Sequence, residues 1–376
     1  MTKNRPQSAL LFLSMFVVLA FTLACSSGKS NFNTQTCSGC QFVYATTNSA
    51  QLLTFQIASD GSLGAPQSTV GPANATGLLA ISNGGAASFL YVSDPGTSAI
   101  RVYNISQVDG SLSPTSLGPY SVSSTPGALA VFGTTLYAAG SSGSIFAFTM
   151  NQDGSLTAVA GSPFQAGAGL SHLAVVSPTT APGAAFLYGA NSDDASGSIS
   201  AFSIATNGVL TPVAGSPFQT VSGGGPEGFF SGTNVLYVAL KNANAVAALA
   251  IASDGSLSLI AAPFPAGKGT ASLGGAGGFL FAANNGDGTI SSYSINATSG
   301  TLTQVSGSPF PAATPSGDVL YDNGRLFMPD ASGNSINGFA PDLSSGAINL
   351  LTGSPYGAGS GPLELTAFAF AVKDPP

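Results

Sequence analysis

The chain has 376 residues, of which only 6% are charged, against roughly 25% in an average globular domain; 44% are hydrophobic, and Gly (49) and Pro (24) are abundant. The net charge is −7, or −9 without the N-terminal Lys3 and Arg5, so no basic stripe exists to neutralise phosphates, which excludes nucleic acid and acidic lipid surfaces as partners. The apolar fraction suffices for a packed core, and Gly-, Ser- and Thr-rich sequence without long Glu/Lys/Leu stretches favours strands and tight turns.

In chain order, Lys3 and Arg5 form a basic start, and residues 9–20 form an apolar run broken only by Ser14, too short for a comfortable membrane span and fitting an export signal. Thr22-Leu23-Ala24-Cys25 follows and resembles a bacterial lipoprotein signal, in which the Cys is lipidated and becomes residue one; Leu is usual where Thr22 stands. Ordinary secretion with cleavage nearby is the alternative. The expected organisation is a signal over 1–24, a polar tether over 25–40 with Cys25 lipidated, and one folded unit over 41–376. Cys37 and Cys40 form a C-x-x-C too small in number for a four-ligand zinc set. A local disulfide is the first expectation, with free thiols, a metal or redox chemistry as alternatives.

The rest of the chain is a repeat. An apolar–aromatic pair recurs at Val43-Tyr44, Leu90-Tyr91, Leu136-Tyr137, Leu187-Tyr188, Leu236-Tyr237, Leu280-Phe281 and Leu326-Phe327, with steps of 47, 46, 51, 49, 44 and 46 residues. In phase with it come an aliphatic–aromatic strand such as Ile199/Phe202, then a turn glycine (Gly61, Gly110, Gly154, Gly208, Gly255, Gly300 and Gly346), then Gly-Ser-Pro-Phe or a weaker copy in all repeats but the first. Gly supplies the positive φ that such hairpins demand, and Pro, which cannot donate to a ladder, reads as the end of a strand. A short apolar strand closes each unit, as at residues 78–81, 129–132 and 173–176. Four strands in each of seven units predict an all-β, seven-bladed β-propeller with antiparallel blades. The unmatched last strand, residues 365–372, is expected to join residues 41–69 and close the ring.

Leu-Tyr starts, Asp-Gly-Ser-Leu turns and Gly-Ser-Pro-Phe ends over residues 41–372 resemble the lactonase-type propeller family, which includes bacterial propeller 6-phosphogluconolactonases and fungal carboxymuconate cyclases. The resemblance implies a His at the start of an innermost strand, matched by His172, the one His of the chain, in Ser171-His172-Leu173-Ala174-Val175-Val176-Ser177-Pro178. It also implies Pro-Arg in the next repeat and a Glu after the following Leu-Tyr strand. Here these places hold Pro226-Glu227 and Lys241, so acid and base are exchanged.

In a propeller, the loops leading into innermost strands and those joining second to third strands share one face. Asp94, Asp193, Asp194, Asn284, Asp287 and Asp330 fall there together with His172, Glu227, Lys241 and Lys268. Lactone opening needs an activated water and a donor for the oxyanion, which casts His172 as base, Glu227 as its orienter and Lys241 or Lys268 as oxyanion donor. A phosphorylated substrate is disfavoured by the scarcity of Arg and Lys. The Asn284 to Gly288 and Asn191 to Asp194 stretches have oxygen ligands suited to calcium but lack a closing Glu, and read as turns. No cofactor or metal is expected. The sequence therefore reads as an exported, monomeric envelope propeller that binds a small lactone or carbohydrate, or an envelope protein, at its mouth, with a degraded lactonase site. Hydrolysis of a non-phosphorylated lactone by His172 is the alternative.

Overall fold

The structure is a computed structural model and describes residues 39–82, 87–193, 197–312 and 319–369. Residues 1–24, expected from the sequence to be an export signal, together with Cys25, Cys37, Asp194 and the final residues 370–376, lie outside these. Cys40 is disulfide-bonded.

The described chain is all-β, with seven antiparallel sheets. Blade 4 is representative. Its innermost strand Leu170–Val176 pairs with Phe186–Asn191, which pairs with Ser198–Ile204, which pairs with the outer Leu210–Pro212. Innermost strands of successive blades touch around the whole ring, the last meeting the first. The closing strand, Pro362–Ala369, pairs with Gln41–Thr47 at Tyr44↔Thr366 and completes blade 1 from both ends of the domain, as expected.

The core lies between blades. One cluster joins Tyr188, Ile199 and Phe186 of blade 4 to Leu236, Val238 and Leu249 of blade 5, and the seam is equivalent, with Phe327 and Ile336 of blade 7 against Val43, Phe55 and Leu365 of blade 1. Because second and third strands are covered on both faces, their sequences are nearly continuous apolar runs such as Val235–Leu240, VLYVAL.

Two repeat motifs have structural explanations. The tyrosine of each second strand donates its hydroxyl to the turn-glycine carbonyl of the next blade: Tyr44 to Gly110, Tyr91 to Gly154, Tyr137 to Gly208, Tyr188 to Gly255 and Tyr237 to Gly300, at 2.8 to 3.1 Å. Blade 6 has Phe281 instead, and Ser292, its cross-strand partner, supplies the hydroxyl to Gly346 at 2.7 Å. At the seam Phe327 also lacks a hydroxyl, and Arg325 reaches the Gly61 turn, donating to the Ser59 carbonyl at 3.5 Å.

Gly-Ser-Pro-Phe does not end a strand, contrary to the sequence reading. It interrupts the outermost strand, which then resumes: Ser144–Met150 pairs with Leu156–Ala158 and again with Phe164–Gln165. Across the gap, the Ala147 carbonyl accepts from Val159 N–H and the Ala147 N–H donates to Ser162 Oγ, both at 2.9 Å. Ser216, Ser308 and Ser354 repeat that contact at 2.9 to 3.0 Å, each before a cis proline. The serine hydroxyl replaces the ladder acceptor that the interrupted strand lacks.

Innermost strands begin earlier than predicted: Pro126–Phe132 and Leu170–Val176, not residues 129–132 and 173–176. The closing strand likewise starts at Pro362, not residue 365. Their first residues, Pro126-Gly127-Ala128, Leu170-Ser171-His172 and Pro362-Leu363-Glu364, mix proline, small, polar and apolar side chains, so a run of apolar residues does not mark them.

Candidate functional site

The mouth is shaped by a recurring irregularity. Each of five innermost strands carries one extra residue at its start relative to the second strand: Gly127, Ser171, Glu227, Ala271 and Leu363 stand at these shifts. A bulge re-aims side chains, and here it turns the strand starts toward the axis. Together with the loops between second and third strands they enclose a cavity of about 540 Å³.

Three of the four predicted catalytic residues line it: His172, Glu227 and Lys241. His172 lies within its strand, half-buried, with its ring edge-on to buried Phe229 at 5.9 Å between centroids. Beside it Ser171 Oγ lies 3.3 Å from the carbonyls of Pro226 and Glu227, tying blade 4 to blade 5 at the mouth. Lys241 follows its strand directly, and its backbone N–H donates to Gly225 O at 3.0 Å. Its ammonium donates to Glu227 Oε1, also at 3.0 Å. The exchanged acid and base thus form an ion pair, with side-chain exposures of 49% for Lys241 and 28% for Glu227. The Glu227 oxygen cast as an orienter of His172 meets Lys241 instead. Lys268, the fourth, is exposed at the rim and is not among the residues lining the cavity; its backbone N–H donates to Asp287 Oδ2 at 2.8 Å.

The aspartates and asparagine that the sequence gathers at this face brace the hairpins. Asp94 is buried, accepts from the Gly96 and Thr97 N–H groups and pairs with Arg101 at 2.5 Å. These bonds and that charge outweigh its burial and hold its carboxyl below the usual range. Asp330 accepts from Ser332 and Gly333, and Asn284 bonds Thr270, Thr289 and Ser291. They are turn groups at the ends of second strands, which is the bland reading of the Asn284 stretch. Among the described residues no group of three or more His, Cys, Asp and Glu side chains is placed to hold a metal ion.

Sequence reasoning missed Glu364, and it read Asn285 only as part of the Asn284 to Gly288 turn. Glu364, half-buried, lines the cavity from the closing strand at the position His172 occupies in blade 4, since Pro362-Leu363-Glu364-Leu365 aligns with Leu170-Ser171-His172-Leu173. Starting that strand at residue 365 left Glu364 out. Asn285, also in the wall, has its Oδ1 buried with no protein donor. A second cavity, about 370 Å³, lies between blades 5 and 6 and is lined by Phe230, Val235, Tyr237 and Phe279 with glycine-rich turns; its one titratable side chain, Tyr237, is committed to Gly300.

No family model and no curated protein matches the chain. Solved structures do. The periplasmic gluconolactonase PpgL of Pseudomonas aeruginosa is 18% identical, with a TM-score of 0.71 over 88% of this chain and 99% of that one. A Bacteroides fragilis protein provisionally assigned as a 6-phosphogluconolactonase is 20% identical, with a TM-score of 0.72 over 89% and 100%. The likeness extends to a computationally designed protein, Ika8, at 12% identity and a TM-score of 0.53 over 90% and 95%, so shape alone assigns no chemistry. What the chain shares with the lactonase-type structures is their seven-bladed propeller fold.

Proposed function

We propose that this chain is an exported propeller that binds a small carbohydrate-like molecule, a sugar or sugar lactone, at its mouth, and that the lactonase arrangement there is degraded. The observation that carries the reading is the Lys241–Glu227 pair: the cation that would stabilise an oxyanion is held by a carboxylate 3.0 Å away. A cavity of about 540 Å³ is in the size range of small-molecule sites and suits a mono- or disaccharide. Its lining of Thr76, Ser141, Ser171, Ser272 and Asn285 supplies hydroxyl and amide partners for a polyol. The basic start, the apolar run and Cys25 support export with a lipid anchor, and PpgL is itself a periplasmic gluconolactonase.

The test uses purified full-length protein, a panel of neutral sugars and sugar lactones, calorimetry for binding, and base uptake at constant pH for hydrolysis. Saturable binding without turnover above buffer is expected, weakened in Lys241→Met. Turnover that collapses in His172→Ala would instead establish a lactone hydrolase with His172 as its base. Absence of both binding and turnover would sink the reading.

A further inference from the structure

The residue just before each apolar–aromatic pair lies against the turn glycine of the next blade. In four blades it is phenylalanine: Phe42 on Gly110, Phe89 on Gly154, Phe186 on Gly255 and Phe279 on Gly346. Each ring is so close that the glycine has no room for a side-chain carbon. All four rings are buried. Blade 5 has Val235 at this place, and it stays half-buried. Val235 and Ile260 both approach Gly300, and Ile260 is one methylene longer than its counterparts Val159, Val213 and Val305. Together they leave open part of the space that a ring fills elsewhere, and the second cavity, about 370 Å³, lies there. Blade 3 also lacks the ring, but Thr135, its residue on Gly208, is only 6% exposed. In blade 7 the longer Arg325 covers Gly61.

The walls of this cavity suit a ring. Phe230 stacks on Tyr237 with centroids 6.1 Å apart, and its own ring takes the space that Gly275 leaves by having no side chain. Gly278 likewise has open space where a side chain would stand. None of the lining residues is charged, and Thr233 and Thr298 bring hydroxyls to the exposed edge. No residue lines both this cavity and the mouth, because the hairpins and the Gly300 turn that form it lie on the opposite face of the ring. We propose that the cavity between blades 5 and 6 is a second ligand site, which takes a small uncharged molecule bearing one aromatic ring. The ring stands in for the missing phenylalanine beside Gly300, and the polar end of the molecule lies toward Thr233 and Thr298. Burying an aromatic face against Phe230 and Val235 supplies the binding energy, and a charge carried inside would find no partner among the lining residues. The volume is within the range of small-molecule sites.

Benzyl alcohol is the probe, titrated into full-length protein and followed by saturation-transfer NMR. Saturable binding is expected, and excess glucose should leave it unchanged. Val235→Phe restores the ring that four other blades carry, and it should weaken binding by about tenfold or more by filling the site. A benzyl alcohol bearing a trifluoromethyl-diazirine, photolysed with the unaltered protein, keeps the proposal testable if the variant fails to fold. Its label should fall within residues 230–237, 276–279 and 295–300. Absence of saturable binding overturns the site, as does binding that survives Val235→Phe. Displacement by glucose, or label concentrated around Ser171 and Lys241, places the probe in the mouth and overturns it equally.

Discussion

The flanks of the blades and the mouth of the ring are made from the same strands, and they differ in how their side chains repeat. On the flanks one solution recurs: a tyrosine reaches the next blade's turn glycine five times, and a serine hydroxyl completes the interrupted outer ladder four times. At the mouth the shifted positions hold Gly127, Ser171, Glu227, Ala271 and Leu363, five different residue types in one backbone setting. Repetition marks what packing demands of every blade, and variation at equivalent backbone positions marks where packing demands little. Such positions are the ones available for binding.

Breaking the flank should therefore unfold the ring, and changing the mouth should not. The largest effect is expected from deleting residues 362–376, which removes Leu365 from the seam and Phe368 from the core between blades 1 and 2, and leaves Gln41–Thr47 as an open edge. Loss of two large buried side chains costs on the order of 5 kcal/mol or more. An unchanged melting temperature would refute closure as a source of stability.

Alkaline titration attacks every tyrosine staple at once. Burial pushes the hydroxyls of Tyr137 and Tyr237 up from 10.0 to about 12, and those of Tyr44, Tyr91 and Tyr188 rise as well. A phenol whose folded-state value exceeds the unfolded one stabilises fully below about pH 10, and that contribution is lost as pH rises through the folded value. The melting temperature should hold up to about pH 10 and fall steeply toward 12, in step with tyrosinate absorbance. A transition well below pH 10 would point to some other group.

The exception in blade 6 sharpens the comparison. Ser292→Ala leaves the buried Gly346 carbonyl without its hydroxyl donor, at a cost of about 1–2 kcal/mol. Adding Phe281→Tyr should restore most of it, because the pair then becomes the Tyr/Ala combination found at Tyr137↔Ala147, Tyr188↔Ala201 and Tyr237↔Ala248. If the double variant unfolds at the same denaturant concentration as Ser292→Ala, the staple is not interchangeable between blades. The smallest effect belongs to the mouth. Glu227→Gln breaks a partly exposed ion pair and should shift stability by less than about 1 kcal/mol, while weakening ligand binding in calorimetry. A loss as large as that of Ser292→Ala would place the pair among the flank contacts.

Much of the fold was legible because a blade buries its strands on both faces and meets identical neighbours, which writes the same apolar and turn residues into the chain seven times. The site was legible only in part. His172, Glu227 and Lys241 stood out as ionisable residues in phase with the mouth, whereas Glu364 did not and Asn285 stood out only as part of a turn. The starts of innermost strands carry no side-chain pattern common to the blades, and their register is set by a one-residue shift that no local pattern announces.

By itself, then, the sequence determined the strand content, the blade number and the closure of the ring by its last strand. These follow from local periodicity and from a count that leaves one strand over. Only the tertiary structure decided that Gly-Ser-Pro-Phe interrupts a strand, that Tyr44 serves Gly110 sixty-six residues away, that Lys241 is bound to Glu227, and that Glu364 faces them across the mouth. Each of those depends on which blades become neighbours or opposites once the ring closes, and distances across a closed ring are not encoded in any one segment of the chain.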